Sequence, residues 1–371
     1  MTEAQLKKYA YLLVHYSVGI KPGERLLIES TTLAEPLVRE IYAETLRAGG
    51  HPYTLLSMEN QTNLLYELGN AEQAAQVHPL YAQAMQEFEA YIYVRAPYAE
   101  EKVSPTAEQI VAQRAALAPY RKAYSERTAT LALRRNLCEY PTETNAKHAG
   151  MTLEEYTDFI MHACFLKTED PIKHWQEISA FQAKVVAYLD KVKTMRYVND
   201  KTDLTFSVAG RKWMNSDGKT NMPSGEVFSS PVEDAVNGHI HFDFPSVFQG
   251  HTVQGITLWV KDGAVYKWDA IEGKELLDKV FAIEGARRFG EVAIGCNYNI
   301  QTAVKNILFD EKIGGTVHLA VGETYLQTGG KNHSNIHWDM IANMKNNGAI
   351  YADGVKIYEN GKFTAELLGE A

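Results

Sequence analysis

Cysteine is scarce in this chain, and the spacing of the few that occur excludes two kinds of site. The 371 residues include three cysteines, Cys138, Cys164 and Cys296, and no two of them form a Cys-x-x-Cys pair. An odd number of widely separated cysteines predicts neither a disulfide framework nor a zinc site built from thiolates. We therefore expect reduced thiols in a cytoplasmic protein.

Long apolar runs and an excess of positive charge are also missing. No run of about 18 apolar residues occurs, so we expect no membrane span. The apolar stretch at residues 9–20 contains His15, and its spacing favours an amphipathic helix over a signal peptide. The net charge is −9, and no stripe of lysine and arginine offsets it, which argues against a nucleic-acid partner.

Several common catalytic and binding motifs are missing as well. The glycines never form G-x-G-x-x-G, so the sequence carries no dinucleotide signature. Neither a G-x-S-x-G elbow nor a His-Glu-x-x-His motif occurs, and Gly330-Lys331 lacks the upstream glycine of a phosphate loop. These absences exclude the corresponding hydrolases, zinc peptidases and nucleotide-binding proteins.

The length of the chain predicts two domains, because a single core rarely keeps growing beyond about 300 residues. The amino-terminal part alternates predicted strands with helical stretches, and the strands are placed at 25–29, 52–58, 89–95 and 128–134. This alternation predicts an α/β domain with a parallel sheet. We assign it to residues 1–192, including a helical bridge over about 152–192.

The carboxyl-terminal part, residues 193–371, has a different texture. Short β-branched segments at 204–208, 239–244 and 255–260 alternate with Gly, Asn and Asp turns, and one helix is predicted near 273–289. We expect a mixed, strand-rich α+β domain. Nearly every polar cluster of chemical interest lies in it, so this domain is the candidate metal-binding domain.

One such cluster is the segment KNHSNIHWDM, in which His337 and Asp339 flank Trp338. On an extended strand, residues i and i+2 share a face at a spacing of about 7 Å. The pair can therefore close on one metal ion while Trp338 packs into the opposite layer. The alternative is a hydrogen-bonded surface histidine beside a solvated carboxylate.

A second cluster is the segment NMPSGEVFSSPVED, in which Glu226 is held between proline and glycine turns. A carboxylate fixed in this way is a better metal ligand than one on a mobile helix surface. The alternative is a turn carboxylate satisfied by backbone N–H groups. Glu233 and Asp234 are competing candidates in the same segment.

Two further strand-like segments carry isolated polar residues. Glu291 opens the apolar run EVAIG, and His318 alternates with apolar residues in TVHLAV, shortly before Tyr325. Each has a structural alternative, namely an exposed strand edge, a satisfied core histidine and a packed aromatic ring. Taken together, two glutamates, two histidines and one aspartate form the mixture of oxygen and imidazole ligands that suits two divalent ions.

These segments resemble the M29 family of metallo-aminopeptidases, the thermophilic aminopeptidase group. The resemblance extends from the Lys-Pro-Gly-Glu turn at residues 21–24 to the carboxyl terminus. The motifs that carry it are SGEVFSSPVEDAVNGHIHF, GARRFGEVAIGCN, ILFDEKIGGTVHLAVGETY and GGKNHSNIHWDM.

The resemblance implies a metal site and a catalytic residue. The ligands would be Glu226, Glu291, His318, His337 and Asp339, holding two divalent ions of Zn, Co, Mn or Mg. Tyr325 would stabilise the oxyanion of the reaction. The family further implies a homodimer that acts on short peptides.

Two other functions compete with this interpretation. Ring-cleaving dioxygenases resemble the same family, and His318, His337 and Asp339 alone would form the facial triad of one Fe(II). The presence of Glu226, Glu291 and Tyr325 argues against that triad, because a single iron needs none of them. A non-catalytic peptide-binding or scaffolding domain is the third interpretation.

Overall fold

The computed structural model describes residues 1–99 and 103–369. The chain forms two compact units, the first comprising Met1–Ile172 with Gly218–Met222 and the second Lys173–Asp217 with Pro223–Ala371. The boundary between these units thus lies before Lys173, whereas the sequence predicted a domain boundary after residue 192. Within the described ranges, no helix combines the length and the apolar character needed to cross a bilayer.

The first unit is built on a parallel sheet, as predicted. Its main strands follow the order β2-β1-β3-β4, and each neighbouring pair is parallel. These strands are β1 (Arg25–Thr31), β2 (His51–Ser57), β3 (Ala90–Arg95) and β4 (Arg134–Glu139). The helices of this part are α1 (Glu3–Leu12), α2 (Glu35–Arg47), α3 (Gln61–Leu68), α4 (Ala71–Ala74), α5 (Pro79–Glu87), α6 (Ala107–Ala129), α7 (Glu143–Ala149) and α8 (Leu153–Ala163).

The predicted strand at 128–134 is wrong. Helix α6 continues to Ala129, and strand β4 begins only at Arg134. Thr128 has a high β propensity but fits in the helix, because its hydroxyl donates to the carbonyl of Tyr124 at 2.7 Å. Leu131, at φ 59°, reverses the chain before the strand. Helical context has therefore overridden the local β propensity.

The second unit is rich in antiparallel strands. Its strands are β5 (Thr194–Asn199), β6 (Thr202–Ser207), β7 (Met214–Ser216), β9 (Glu226–Ser229), β10 (Val236–Phe242), β11 (Ser246–Phe248), β12 (His251–Val253), β13 (Ile256–Lys261), β14 (Ala264–Asp269), β15 (Phe289–Gly295), β16 (Thr316–Gly322), β17 (His337–Asn343), β18 (Ala349–Ala352), β19 (Val355–Glu359) and β20 (Lys362–Phe363). The short strand β8 (Asn221–Met222) belongs to the first unit and pairs with β4 there. In the second unit an eight-stranded sheet has the order β14-β13-β10-β6-β5-β18-β19-β20, a five-stranded sheet has the order β17-β16-β15-β9-β7, and β11 pairs with β12.

Helices are few in this part of the chain. They are α9 (Pro171–Leu189), α10 (Lys274–Val280), α11 (Ile307–Asp310) and α12 (Ala365–Leu368). The helix predicted over 273–289 is thus too long, because α10 has only 7 residues and ends at Val280. Beyond it, Gly285 has φ 76°, and a Cβ there would meet the carbonyl oxygen of His333 at 2.0 Å, so this position requires glycine in a turn.

The apolar core of the second unit joins its two large sheets. Residues of the eight-stranded sheet such as Leu204 and Ile240 belong to the same buried cluster as Val292 and Leu319 of the five-stranded sheet. Trp338 is also in this cluster and is 3% exposed. Because side chains alternate along a strand, the residues beside Trp338 lie on the sheet face turned away from this core.

Candidate metal centre

All five predicted ligands lie on the five-stranded sheet of the second unit. Glu226 begins β9, Glu291 lies in β15, His318 in β16, and His337 and Asp339 in β17. These strands are neighbours in the sheet, in the order β17-β16-β15-β9. Residues separated by up to about a hundred positions in sequence are therefore brought onto one surface.

Small residues opposite each ligand leave space above the sheet. The pairs in register are Glu226 with Gly295, Glu291 with Ala320, His318 with Ala293, His337 with Gly322 and Asp339 with Ala320. For Glu291 and His318, alternation explains the pattern, because the segments EVAIG and HLAVG place a small residue two and four positions after each of these two ligands. The apolar residues between them face the core.

The ligand atoms form two groups of three that share Glu291. In one group, Nε2 of His318 lies 3.1 Å from Oε2 of Glu226 and 3.8 Å from Oε1 of Glu291. In the other, Nε2 of His337 lies 3.0 Å from Oε2 of Glu291 and 3.5 Å from Oδ2 of Asp339. The two oxygens of Glu291 therefore face different histidines.

Buried polar atoms without hydrogen-bond partners are concentrated in this cluster. Among the described residues, they include Oε2 of Glu226, Nδ1 of His318, Nε2 of His337 and Oδ1 of Asp339. Glu226, Glu291 and His318 are at most 4% exposed and Asp339 is 8% exposed. Burying such groups unpaired is costly, so their arrangement fits a cation that completes the coordination.

Hydrogen bonds to backbone carbonyl oxygens hold His337 and the strand that carries it in place. The Nδ1 atom of His337 lies 2.8 Å from the carbonyl oxygen of Glu323, so Nδ1 carries a proton, and Nε2 is the atom that a metal ion would bind once its own proton has left. The hydroxyl of Ser246 donates to the carbonyl of Asp339 at 2.7 Å and accepts from the indole of Trp338. These contacts fix the strand that carries the His-x-Asp pair.

The neighbouring carboxylates favour protonation of His318 and His337, so protons compete with metal ions for the imidazole nitrogens. Burial opposes protonation of His318, but Glu226 and Glu291 outweigh it and raise its pKa to about 10. The pKa of His337 is likewise raised, against the effect of burial, by Asp339 and Glu291. Burial also opposes ionisation of Glu226, yet Lys312 and His318 lower its pKa to about 2. Metal binding therefore has to displace protons from imidazole.

Two residues of the cluster were not predicted. Glu311 forms a third possible group with His318 and Asp339, and Lys312 contacts both Glu311 and Glu226. Burial raises the pKa of Glu311, whereas the contact with the Lys312 ammonium lowers it and favours the ionised carboxylate. The signal in the sequence was the run of three charged residues, Asp310 to Lys312, inside the otherwise apolar segment ILFDEKIGGTVHL.

Tyr325 lies beside the cluster, where the 3₁₀ turn Leu326–Thr328 begins. Its ring centroid is 5.1 Å from that of His337 and 5.4 Å from that of Phe228. The residue keeps 39% of its surface exposed. Desolvation of the phenol, followed by the charges of Glu291 and Asp339, raises its pKa well above the usual range, so the hydroxyl keeps its proton.

The competing candidates have structural partners instead. Glu233 accepts from Arg211 at 2.5 Å and from the backbone N–H of Lys331 at 2.6 Å. Neither Glu233 nor Asp234 belongs to a metal-capable group found in the described part of the chain.

Comparison with known proteins identifies the family of this chain. A family model described as Thermophilic metalloprotease (M29) matches residues 2–363. Aminopeptidase 2 from Geobacillus stearothermophilus is 30% identical, with 98% of this chain and 99% of the relative covered. Aminopeptidase T from Thermus aquaticus is 26% identical, with 87% and 85% covered.

A solved structure shares the fold. Wild-type AmpT from Thermus thermophilus superposes with a TM-score of 0.81 at 22% identity, over 97% of this chain and 99% of that one. The predicted fold class, a parallel α/β part followed by a strand-rich part, is confirmed. Since the family model spans almost the whole sequence, the chain belongs to the M29 family of metalloproteases and is a metallo-aminopeptidase, a hydrolase.

Proposed function

We propose that this enzyme removes the N-terminal residue of short peptides with two divalent ions held by the five-residue centre. The observation that supports two ions is the orientation of Glu291, whose Oε1 faces His318 and whose Oε2 faces His337. A carboxylate placed between two sets of ligands is suited to bridge a pair of metal ions.

The shared glutamate suggests how the ligands divide between the ions. One ion would be held by Glu226, Glu291 and His318, and the other by Glu291, His337 and Asp339. Three carboxylates and two imidazoles accept Zn, Co, Mn or Mg, and geometry alone does not select among them.

The residues around the centre have distinct tasks in the proposed hydrolysis. Bound divalent ions supply Lewis acidity toward the scissile carbonyl and lower the pKa of the attacking water. Tyr325, protonated and next to His337, donates a hydrogen bond to the oxyanion that develops on the carbonyl. The carbonyl of Glu323 keeps His337 in the tautomer that a metal ligand needs.

The dioxygenase alternative receives no support from the relatives described above. A single iron on His318, His337 and Asp339 would leave the buried carboxylates of Glu226 and Glu291 without a task. The homodimer and the cytoplasmic location, which the resemblance and the cysteines suggested, stay predictions.

A matched pair of peptides tests the exopeptidase activity. We expect a short peptide with a free amino terminus to lose its first residue, and the same peptide acetylated at the amino terminus to resist cleavage. The reason is that acetylation removes the amine that anchors the substrate at a metal. Mass spectrometry of the products decides the point, and efficient cleavage of the acetylated peptide would exclude the proposal.

A further inference from the structure

Lys312 is a buried cation that the proposed hydrolysis does not use. It follows helix α11, and its side chain is 1% exposed. Its Nζ lies 2.5 Å from Oε1 of Glu226 and also contacts Oε1 of Glu311. An isolated ammonium at this depth would be strongly disfavoured, so these two carboxylates are what keep it in place.

The two carboxylate oxygens of Glu226 have different neighbours. Oε1 accepts from Lys312, whereas Oε2 lies 3.1 Å from His318 and has no hydrogen-bond partner among the described residues. A metal ion in the group of Glu226, Glu291 and His318 therefore has only Oε2 available on this carboxylate. That ion and the ammonium would share one carboxylate, and like charges so close repel strongly in a buried site.

The same lysine compensates the negative charge of the cluster when metal is absent. Four carboxylates, those of Glu226, Glu291, Glu311 and Asp339, converge on the centre. Without a cation, this concentration of buried negative charge would destabilise the fold. Lys312 supplies one positive charge with or without metal, whereas the protonated imidazoles of His318 and His337 supply theirs only until metal ions displace the protons.

We propose that Lys312 is a built-in cation that stabilises the metal-free centre and weakens metal binding at the group of Glu226, Glu291 and His318. The ion in that group is then the weaker and more readily exchanged of the two. This inference rests on the two-metal function proposed above. Lys312 is thus a positioning residue, because it acts through Glu226 and Glu311.

Metal titration of Lys312→Met tests the inference without reference to activity. Metal-free wild-type and variant protein are titrated with Zn²⁺ against a chromogenic chelator. We expect the weaker of the two binding constants to tighten by about tenfold or more in the variant, as removal of a nearby like charge requires. The tighter constant should change by less than about threefold. If the weaker of the two binding constants stays the same or loosens in the variant, the proposal is overturned.

A charge-matched variant separates electrostatics from altered packing. Lys312→Met combined with Glu311→Gln removes one positive and one negative charge, so the weaker constant should return close to its wild-type value. Thermal unfolding provides a second readout, since Lys312→Met should lower the melting temperature of the metal-free protein more than that of the loaded protein. Equal losses in both forms would also contradict the proposal.

Two further outcomes keep the inference separate from the proposed function. If metal-free Lys312→Met does not fold, Glu311→Gln is titrated in its place. We expect this variant to weaken the weaker of the two metal-binding constants. A tighter constant overturns the inference. If wild-type protein binds only one ion, the two-metal function fails. In that case the lysine inference requires that Lys312→Met gains the second ion, and a variant that still binds one overturns it.

Discussion

Two buried glutamates, one in each unit, both lie in five-stranded sheets, but their carboxylates have different kinds of neighbours. Glu139 ends β4 of the parallel sheet and is fully buried. One of its oxygens accepts from the guanidinium of Arg95 at 2.6 and 2.9 Å, and the other accepts from Asn145 at 2.8 Å and from the Tyr156 hydroxyl. Glu291, buried to 4% exposure in the antiparallel sheet, faces the histidines of the candidate centre instead.

The comparison shows that burial of a carboxylate does not by itself indicate a functional site. Glu139 is surrounded by fixed donors, so the protein alone satisfies its charge. The cluster around Glu291 instead retains polar atoms without hydrogen-bond partners, such as Oε2 of Glu226 and Oδ1 of Asp339. Carboxylates that the protein leaves incompletely satisfied are the ones that can bind a cation.

The largest expected effect follows from Glu291→Gln. An amide oxygen carries no charge to offset a second dication, so we expect loss of metal and a fall in kcat/KM of more than roughly 10³-fold. Circular dichroism should show a preserved fold. Elemental analysis and a peptide assay check the prediction, and a variant that keeps its metal and its activity would remove Glu291 from the centre.

Tyr325→Phe should have the next largest effect on catalysis. Loss of one oxyanion donor is expected to lower kcat by roughly 10²–10³-fold while metal content stays at the wild-type level. The fold should persist, because the ring keeps its contacts with Phe228 and His337. Steady-state kinetics with an aminoacyl amide provides the measurement. Wild-type turnover would show that the residue only packs.

Glu139→Gln is the matched control in the other sheet and should have the smallest effect on activity. The same chemical change breaks the ion pair with Arg95 and should lower the free energy of unfolding by about 2–4 kcal/mol. Metal content and kcat should remain within about twofold of wild type, since the residue lies outside the centre. Urea unfolding measures the first effect, and a selective loss of metal would undermine the comparison.

The sequence predicted most of the fold and the residues of the candidate centre for reasons that are local. A two-residue period places His337 and Asp339 on one face, and Trp338 is indeed in the core beneath them. The parallel sheet followed from alternating strands and helices. The strand predicted at 128–134 failed because helix α6 continues to Ala129, where the Thr128 hydroxyl donates to the carbonyl of Tyr124.

The remaining features depend on contacts between residues that are far apart in the sequence. Lys312 meets Glu226 across 86 positions, so the pair is invisible to any local pattern. Glu291 had an exposed strand edge as its alternative, yet β15 lies between β16 and β9 and is buried throughout. The difference between Glu139 and Glu291 is equally non-local, since it depends on which donors the fold brings to each carboxylate.

The number of metal ions per chain decides whether Glu291 is shared between two ions. Wild-type protein saturated with a divalent metal and freed of excess is analysed for metal by mass spectrometry and for protein by amino-acid analysis. We predict close to two ions per chain. A saturated protein that holds one ion per chain, and stays active with it, would contradict a two-metal centre.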